Sequence, residues 1–510
     1  MKKQFLIGVD LGTSSTKASI FKIDGTLVAQ ASVEIPLYYP APGVVEQENA
    51  DFYQSAASTV RSCIQAGGID PREVAAIAFD SQMAGIGSVD EDFKPATRFD
   101  SWLDMRCQPY IEWIDREAGG RVTRITGCPP TCDHGPKMLW WKNERPEEYK
   151  RIAKFVTPSG YVAGLMAGLK GEQAFMDHTF IHFSGFSDAQ AGTWSAELCD
   201  ILGMDMEKLP RIVEPWRTVG EVTESAAKDF GLAPGTLIAA GAGDTAANAL
   251  GAGIVRSGML FDVAGTASVL AGCTDSFVAD VQHRALLTMR SVIPGLWNPL
   301  AYIGGGGIAL RWFRDQFHNT SQGKSLPLEE DLYEQMIASA VKIQPGAEGL
   351  FFSPHLGGRI CPSAPGMRGA WLGLSWGHTQ AHLFRAVLES VAYEYAYYLG
   401  ILREQLPGIE MLEARTVGGG ARSAGWNQVK ADVLGIPYQR LKRSEFGTWG
   451  SALIAGKAAG LFDDLAARAA ESAQPDGEPA LPNPANRQVY DRLVGKYIAM
   501  QEMLEHWYQN

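Results

Sequence analysis

The sequence predicts an α/β protein of two domains, and three observations carry that expectation. At 510 residues the chain exceeds one ordinary core and suffices for two of about 250 residues each. Its opening alternates in the strand manner and then gives way to a helix-spaced run and a wholly apolar run, the signature of layered α/β structure. A second strand–glycine–strand unit follows past the middle of the chain, as a duplicated plan would produce.

The elements follow in order. Strands are predicted over 5–9, 17–21 and 27–33, joined by Gly12-Thr13-Ser14-Ser15 and by Asp24-Gly25, a three-stranded antiparallel meander. A helix over 51–66 and a buried strand over 74–79 come next. A short strand over 236–240 ends in Gly241-Ala242-Gly243-Asp244 and opens a helix of small residues. Strands over 259–263 and 268–272 then flank Ala264-Gly265-Thr266-Ala267, so that Asp262, Gly265 and Thr266 echo Asp10, Gly12 and Thr13. This places the boundary near Gly253, giving domains 1–253 and 254–510. Later come a long helix over 378–402, a strand ending at Gly418-Gly419-Gly420, an Ala/Gly-rich helix over 448–459, a solvated linker over 474–486 and a last helix over 487–508.

Composition narrows the function. With 46% apolar and 20% charged residues the chain is globular. A net charge of -12 disfavours nucleic acid and anionic membranes, which are held by clustered Lys and Arg. The N-terminal apolar run is broken by Asp10 and Gly12, and the stretch 152–169 by Lys154 and Pro158-Ser159-Gly160, so neither a signal segment nor a spanning helix is expected and the protein reads as cytoplasmic. The seven cysteines read as reduced thiols, and Cys128, Cys132 and His134 lack a second ligand pair at zinc spacing.

Two constellations carry chemistry. Asp10-Leu11-Gly12-Thr13-Ser14-Ser15-Thr16-Lys17 sets a carboxylate at a strand end before a turn of hydroxyls and free N–H groups, fit to wrap phosphate oxygens while Asp10 reaches Mg²⁺. The same turn also serves as an ordinary hairpin. Asp244 stands where a helix opens, placed either to take a proton from an attacking hydroxyl or to cap that helix, and one aspartate can do both. Glycine runs 304–307 and 418–420 are places where backbone can lie against a nucleotide, although neither follows a phosphate-loop or dinucleotide fingerprint.

Taken together, Asp10-x-Gly12-Thr13, Gln82-Met83, Trp102-x-Asp104-x-Arg106, Gly241-x-Gly243-Asp244, Gly265-Thr266, Gly304 to Gly307 and Gly418-Gly419-Gly420-Ala421 form an ordered set that resembles the FGGY family of carbohydrate kinases, and within it the xylulokinases. The resemblance spans residues 7 to about 460. It implies two ribonuclease-H-like domains of the actin, hexokinase and heat-shock-protein type around a cleft, a small sugar or polyol substrate, ATP and Mg²⁺ as cofactors, and a homodimer. It also implies residue roles: Asp244 as catalytic base and substrate contact, and Asp10 as the metal-linked catalytic carboxylate. Gly12, Thr13, Ser14, Lys17, Gly265, Thr266, Gly305, Gly306, Gly419 and Gly420 match the ATP side, and Gln82, Met83, Trp102, Asp104 and Arg106 the sugar side.

Two departures bear on the substrate. The xylulokinase pattern Gln-Met-His-Gly stands here as Gln82-Met83-Ala84-Gly85, and Gly-Glu-Arg as Gly357-Gly358-Arg359. An unmatched sugar hydroxyl costs about 1–3 kcal/mol, enough to redirect specificity. The resemblance implies phosphorylation of D-xylulose, and the two departures keep another ketopentose, a polyol such as glycerol or a tetritol, or a sugar acid as alternatives. Outside enzymology the same fold serves ATP-switched scaffolds and sugar sensors, yet Trp102, Asp104 and Arg106 suit a sugar-sized pocket and Asp10 with Asp244 suit catalysis. The tyrosines at 393, 395, 397 and 398 read as packing, Trp140 and Trp141 as core and rim, and Arg385–Glu389 as an intrahelical pair.

Overall fold

The computed structural model describes residues 3–265, 267–317 and 329–509. Strands β1 (Phe5–Leu11), β2 (Ser15–Lys22) and β3 (Leu27–Glu34) form the predicted meander. Helix α1 (Asn49–Gly67) buries Phe52, Ala56, Val60 and Cys63, at helical spacing, against one face of it. Strand β4 (Val74–Ser81) lies parallel to β1 and is buried along its whole length. Helices α2 (Gln108–Thr126) and α3 (His134–Glu144) build a satellite layer with its own core around Met138, Phe155 and Phe180. Strand β5 (Leu237–Ala239) pairs parallel with β4, and α4 (Asp244–Gly251) follows at once.

The second half repeats the plan. Strands β6 (Met259–Ala264), β7 (Ser268–Gly272) and β8 (Trp297–Ile303) make another meander, followed by α5 (Gly306–Phe317) and the long α6 (Gln380–Gln405). Strand β9 (Glu413–Val417) lies parallel to β6, α7 (Ala424–Leu434) follows, and β10 (Tyr438–Arg440) lies parallel to β9. The order β8-β7-β6-β9-β10 thus matches β3-β2-β1-β4-β5. The chain ends in α8 (Phe446–Ala458), a shorter helix and α9 (Pro484–Gln509).

Helix α8 crosses over to cover the second face of the first sheet. A methyl group on Gly8 of β1 would lie 1.7 Å from the Thr448 carbonyl oxygen, so only glycine permits that approach. Thr448 Oγ1 meets Ser19 Oγ at 3.0 Å, and α8 also lies along α4, where Gly450 faces Ala247. The two halves therefore join through a pair of small-residue helices that begin beside the strand ends of the first sheet.

One expectation is corrected. The stretch 474–486 is no free linker: Tyr438 bridges Ala480, Leu441 bridges Pro475, and Arg440 pairs with Asp476 at 2.5 Å. It pairs with the open edge of β10, where unpaired N–H and C=O groups need partners. Arg385 and Glu389 form the expected pair at 2.7 Å, extended by Tyr490 of α9. Tyr393, Tyr395 and Tyr398 are core residues and Tyr397 is half-buried, while Trp141 is buried and Trp140 lies at the rim. Among the described residues no helix is long and apolar enough to cross a membrane.

Candidate active site

The parallel strands of the first sheet end in carboxylates. Asp10 of β1 stands in register with Asp80 of β4, and Ala242, two residues before Asp244, pairs with Asp80 from the other side. Three acidic side chains thus meet at one end of one sheet. Burial, then the charge of Asp10, pushes Asp244 up to about 7. Thr245 holds its Oδ1 through the backbone N–H at 2.5 Å and Oγ1 at 3.1 Å, and Asn248 Nδ2 donates to the Asp244 carbonyl at 2.8 Å.

Asp10 is raised by burial and pulled back by Lys17, its cross-strand partner on β2. Asp80, absent from the sequence-derived site, is fully buried and held well above the usual carboxylate range by burial and then by Asp10. Its Oδ2 accepts from Ser451 of α8 at 2.7 Å, whereas its Oδ1 is buried without a partner. The available signal was an acid inside an otherwise apolar strand, one residue from its end as Asp10 is.

The turn after β1 closes through Gly12 N to Ser15 O at 3.1 Å, leaving Ser14 and Lys17 exposed. Thr13 ties this turn to the opposite wall. Its Oγ1 accepts from Trp102 Nε1 at 2.9 Å, and its carbonyl accepts from Gln47 Nε2 at 3.1 Å. Gln82 Nε2 in turn donates to Gln47 Oε1 at 2.7 Å, which makes Gln47 a second residue that local motifs did not reveal. Met83 lies against Gly243, and Ala84 holds a positive φ of 62° beside it without any polar side-chain atom.

Asp104 and Arg106 come together as a buried anchor. Arg106 Nε donates to Asp104 at 2.9 Å, its Nη2 meets Glu46 at 2.7 Å and Asp100 at 3.0 Å, and its guanidinium lies 4.8 Å from the Trp140 ring. Asp104 Oδ2 also accepts from Val45 N at 2.8 Å. These bonds fix the loop that presents Trp102 to Thr13.

On the second half, register sets Val263 beside Val417, so the turns that follow β6 and β9 are neighbours. Gly307 N donates to Gly265 O at 3.1 Å, which brings in the turn after β8. Gly265, Gly304, Gly307, Gly419 and Gly420 keep some exposure, whereas Gly305 and Gly306 are buried against Pro354 and Ser268. Thr266 lies outside the described residues.

Two carboxylate-bearing strand ends beside one set of glycine turns, with a second such set at the strand ends of the other half, suit a phosphoryl donor and an alcohol acceptor. Family models agree in order and extent: the N-terminal domain of the FGGY family of carbohydrate kinases matches residues 5–251 and its C-terminal domain residues 262–459. The chain belongs to this family. It is 27% identical over 503 residues to a xylulose kinase of Staphylococcus epidermidis, covering 98% of this chain and 97% of that one. A gluconokinase of Bacillus subtilis is 28% identical over 470 residues, covering 90% and 89%. The crystal structure of a xylulose kinase from Rhodospirillum rubrum superimposes with a TM-score of 0.87 at 26% identity, over 99% of this chain and 100% of that one. The chain is thus a carbohydrate kinase with the two-domain fold of that family.

The residues present fit a magnesium ion. Among the described residues no group of three or more His, Cys, Asp or Glu is arranged as a closed metal cage, but Mg²⁺ requires only one or two carboxylates besides phosphate and water. Asp10 and the unpartnered Asp80 Oδ1 offer carboxyl oxygens, and a cation there would offset the burial and mutual repulsion that hold Asp80 high.

Proposed function

We propose that this kinase transfers the terminal phosphoryl group of ATP to a hydroxyl of D-xylulose, giving xylulose 5-phosphate, with Asp244 as general base. The observation that carries the reading is the Asp244 carboxyl, pushed up to about 7 and oriented by Thr245 at the end of the sheet. A base poised near neutrality takes the proton of an attacking hydroxyl as the oxygen–phosphorus bond forms. Asp10, with Asp80 behind it, is the group assigned to hold Mg²⁺, which when bound neutralises charge on the phosphates. Gly12, whose N–H closes the turn onto Ser15, lets the free N–H groups of residues 13 and 14 and the Thr13 hydroxyl approach the phosphates. These, with the backbone N–H groups of Gly265 and the 419–420 turn, are assigned to the phosphates and the nucleotide, and Thr266 is assigned with them.

Gln82, Met83, Trp102, Asp104 and Arg106 are assigned to the sugar side, the last two through the loop they anchor. We place the domain boundary near Gly253, with α8 crossing it, and the protein in the cytoplasm.

A second reading is favoured by Ala84, where the side chain offers no hydrogen bond to a sugar hydroxyl. It takes a sugar acid, another ketopentose or a polyol as acceptor, and the gluconokinase relative supports it. An ADP-release screen across pentuloses, polyols and aldonates separates the two. The first reading expects the highest kcat/KM on D-xylulose, and faster turnover of gluconate or a polyol replaces it with the second.

A further inference from the structure

Cys107 and Cys132 approach each other with their sulfurs 3.8 Å apart. Cys107 is the N-cap of α2 and follows Arg106, while Cys132 lies in the loop before α3. The fully buried Lys137 of α3 points its ammonium at Cys132, 3.2 Å from the sulfur and 3.1 Å from the carbonyl oxygen. Cys132 is only half-buried, so a small oxidant can reach it. Its sulfur also lies 2.8 Å from the Asp104 carbonyl oxygen and 3.7 Å from that of Trp102, inside the loop assigned to the sugar side.

The other thiols differ. Cys63, Cys128, Cys199, Cys273 and Cys361 are buried, and burial raises each of them. Cys132 alone moves down, to about 6, through the hydrogen bond from Cys107 and then the charge of Lys137.

We propose that Cys107 and Cys132 are an oxidisable dithiol, closed to a disulfide by hydrogen peroxide, whose closure disturbs the 102–106 loop and weakens acceptor binding. The Cys132 sulfur attacks one peroxide oxygen, the O–O bond breaks and water leaves, giving a sulfenic acid. The Cys107 sulfur then attacks that sulfur, an S–S bond replaces the S–O bond, and the released hydroxide takes the Cys107 proton to leave as a second water. In sum two thiols lose two electrons and two protons, and one peroxide becomes two waters. A disulfide is about 2.05 Å long, so the sulfurs close by nearly half their separation, drawing Cys132 off the two carbonyls or Cys107 and Arg106 toward it.

The effect on acceptor binding rests on the sugar-side assignment above, whereas the cross-link does not. The test treats the full-length protein with a modest excess of hydrogen peroxide, then reads intact mass, a peptide map without reductant and the KM of the best acceptor. Loss of two hydrogens, a Cys107–Cys132 peptide, a several-fold rise in KM and recovery with dithiothreitol are expected. Cys107→Ser, or Cys107→Ala, should form no such peptide and should trap the Cys132 sulfenic acid as a dimedone adduct. Oxidation that reaches another cysteine first, or iodoacetamide labelling of Cys132 no faster than of Cys199, overturns the site. A cross-linked protein with unchanged KM overturns the coupling to the acceptor, and a chain that turns over no sugar yet forms the cross-link condemns the sugar reading instead.

Discussion

The two halves share one strand order but treat their first aspartate in opposite ways. In the first half Asp10 stands one residue before the end of β1, half-buried, with Lys17 exposed across from it. In the second half Asp262 is fully buried and bound to Lys430 at 2.6 Å, Tyr395 OH at 2.7 Å and Thr416 at 3.3 Å. The difference is one residue of register. Asp10 precedes Gly12 by two positions, whereas Asp262 precedes Gly265 by three, and successive side chains on a strand point to opposite faces. Val263, not Asp262, is the counterpart of Asp10, so the duplicated plan sets an acid at this strand position in one half only and places the other acid in a core ion pair.

The largest effect that sharpens this comparison is on stability. Lys430→Met should cost about 3–5 kcal/mol in urea unfolding, because it strands a buried carboxylate, and Lys430→Met with Asp262→Asn should recover most of that. Lys17→Met, the same change in the first half, should cost less than about 1 kcal/mol, since the exposed cation is solvent-screened. Equal costs would erase the distinction. Next comes activity: Asp10→Asn should lower kcat/KM about a hundredfold, and its acid limb should move to lower pH because the Asp10 charge helps to raise Asp244. A limb that stays in place separates the two carboxylates.

The first half should also carry the pH dependence of stability. Asp100, Asp177 and Asp244 are each raised to about 7, burial being the first cause. The folded state therefore holds these protons more tightly than the unfolded chain. That stabilisation is complete below about pH 4 and is lost as pH climbs through about 7. In the second half Glu394, held down to about 2 by Arg359 and His355 despite its burial, stays ionised across that window. Below about pH 6.5 the buried His134, His178 and His182 of the same half, lowered by burial, work against this, so denaturation midpoints should fall between about pH 6.5 and pH 8, and Asp244→Asn should flatten that fall; a flat wild-type profile there contradicts this. Smallest is Trp102→Phe, which removes the bond to Thr13 and should lower kcat/KM about fivefold, near 1 kcal/mol.

Much of this was legible in the chain. Period-two and helical spacing located β1 to β4, α1 and α6 within a few residues, and the motif order singled out Asp10 and Asp244, which the fold brings to one end of the first sheet. What escaped depends on tertiary contact. Asp80 sits in a run whose apolar neighbours mask it, and Gln47 joins Gln82 to Thr13 across 35 residues of chain. Asp104 and Arg106 read as two sugar-facing groups, but the pairing with Glu46 and Asp100 that makes them an anchor is set by a separate small sheet. The Asp262 echo misled because letters repeat without their register, and the polar stretch 474–486 hid a strand edge that only its partner reveals.

The central claim is that Asp244 moves the proton while other groups hold the nucleotide. Asp244→Asn, measured side by side for ATP affinity by calorimetry and for turnover of the best acceptor, tests it most directly. ATP affinity within about twofold of wild type with turnover reduced by about a thousandfold or more is the result the account predicts. Turnover near the wild-type rate in that variant contradicts it.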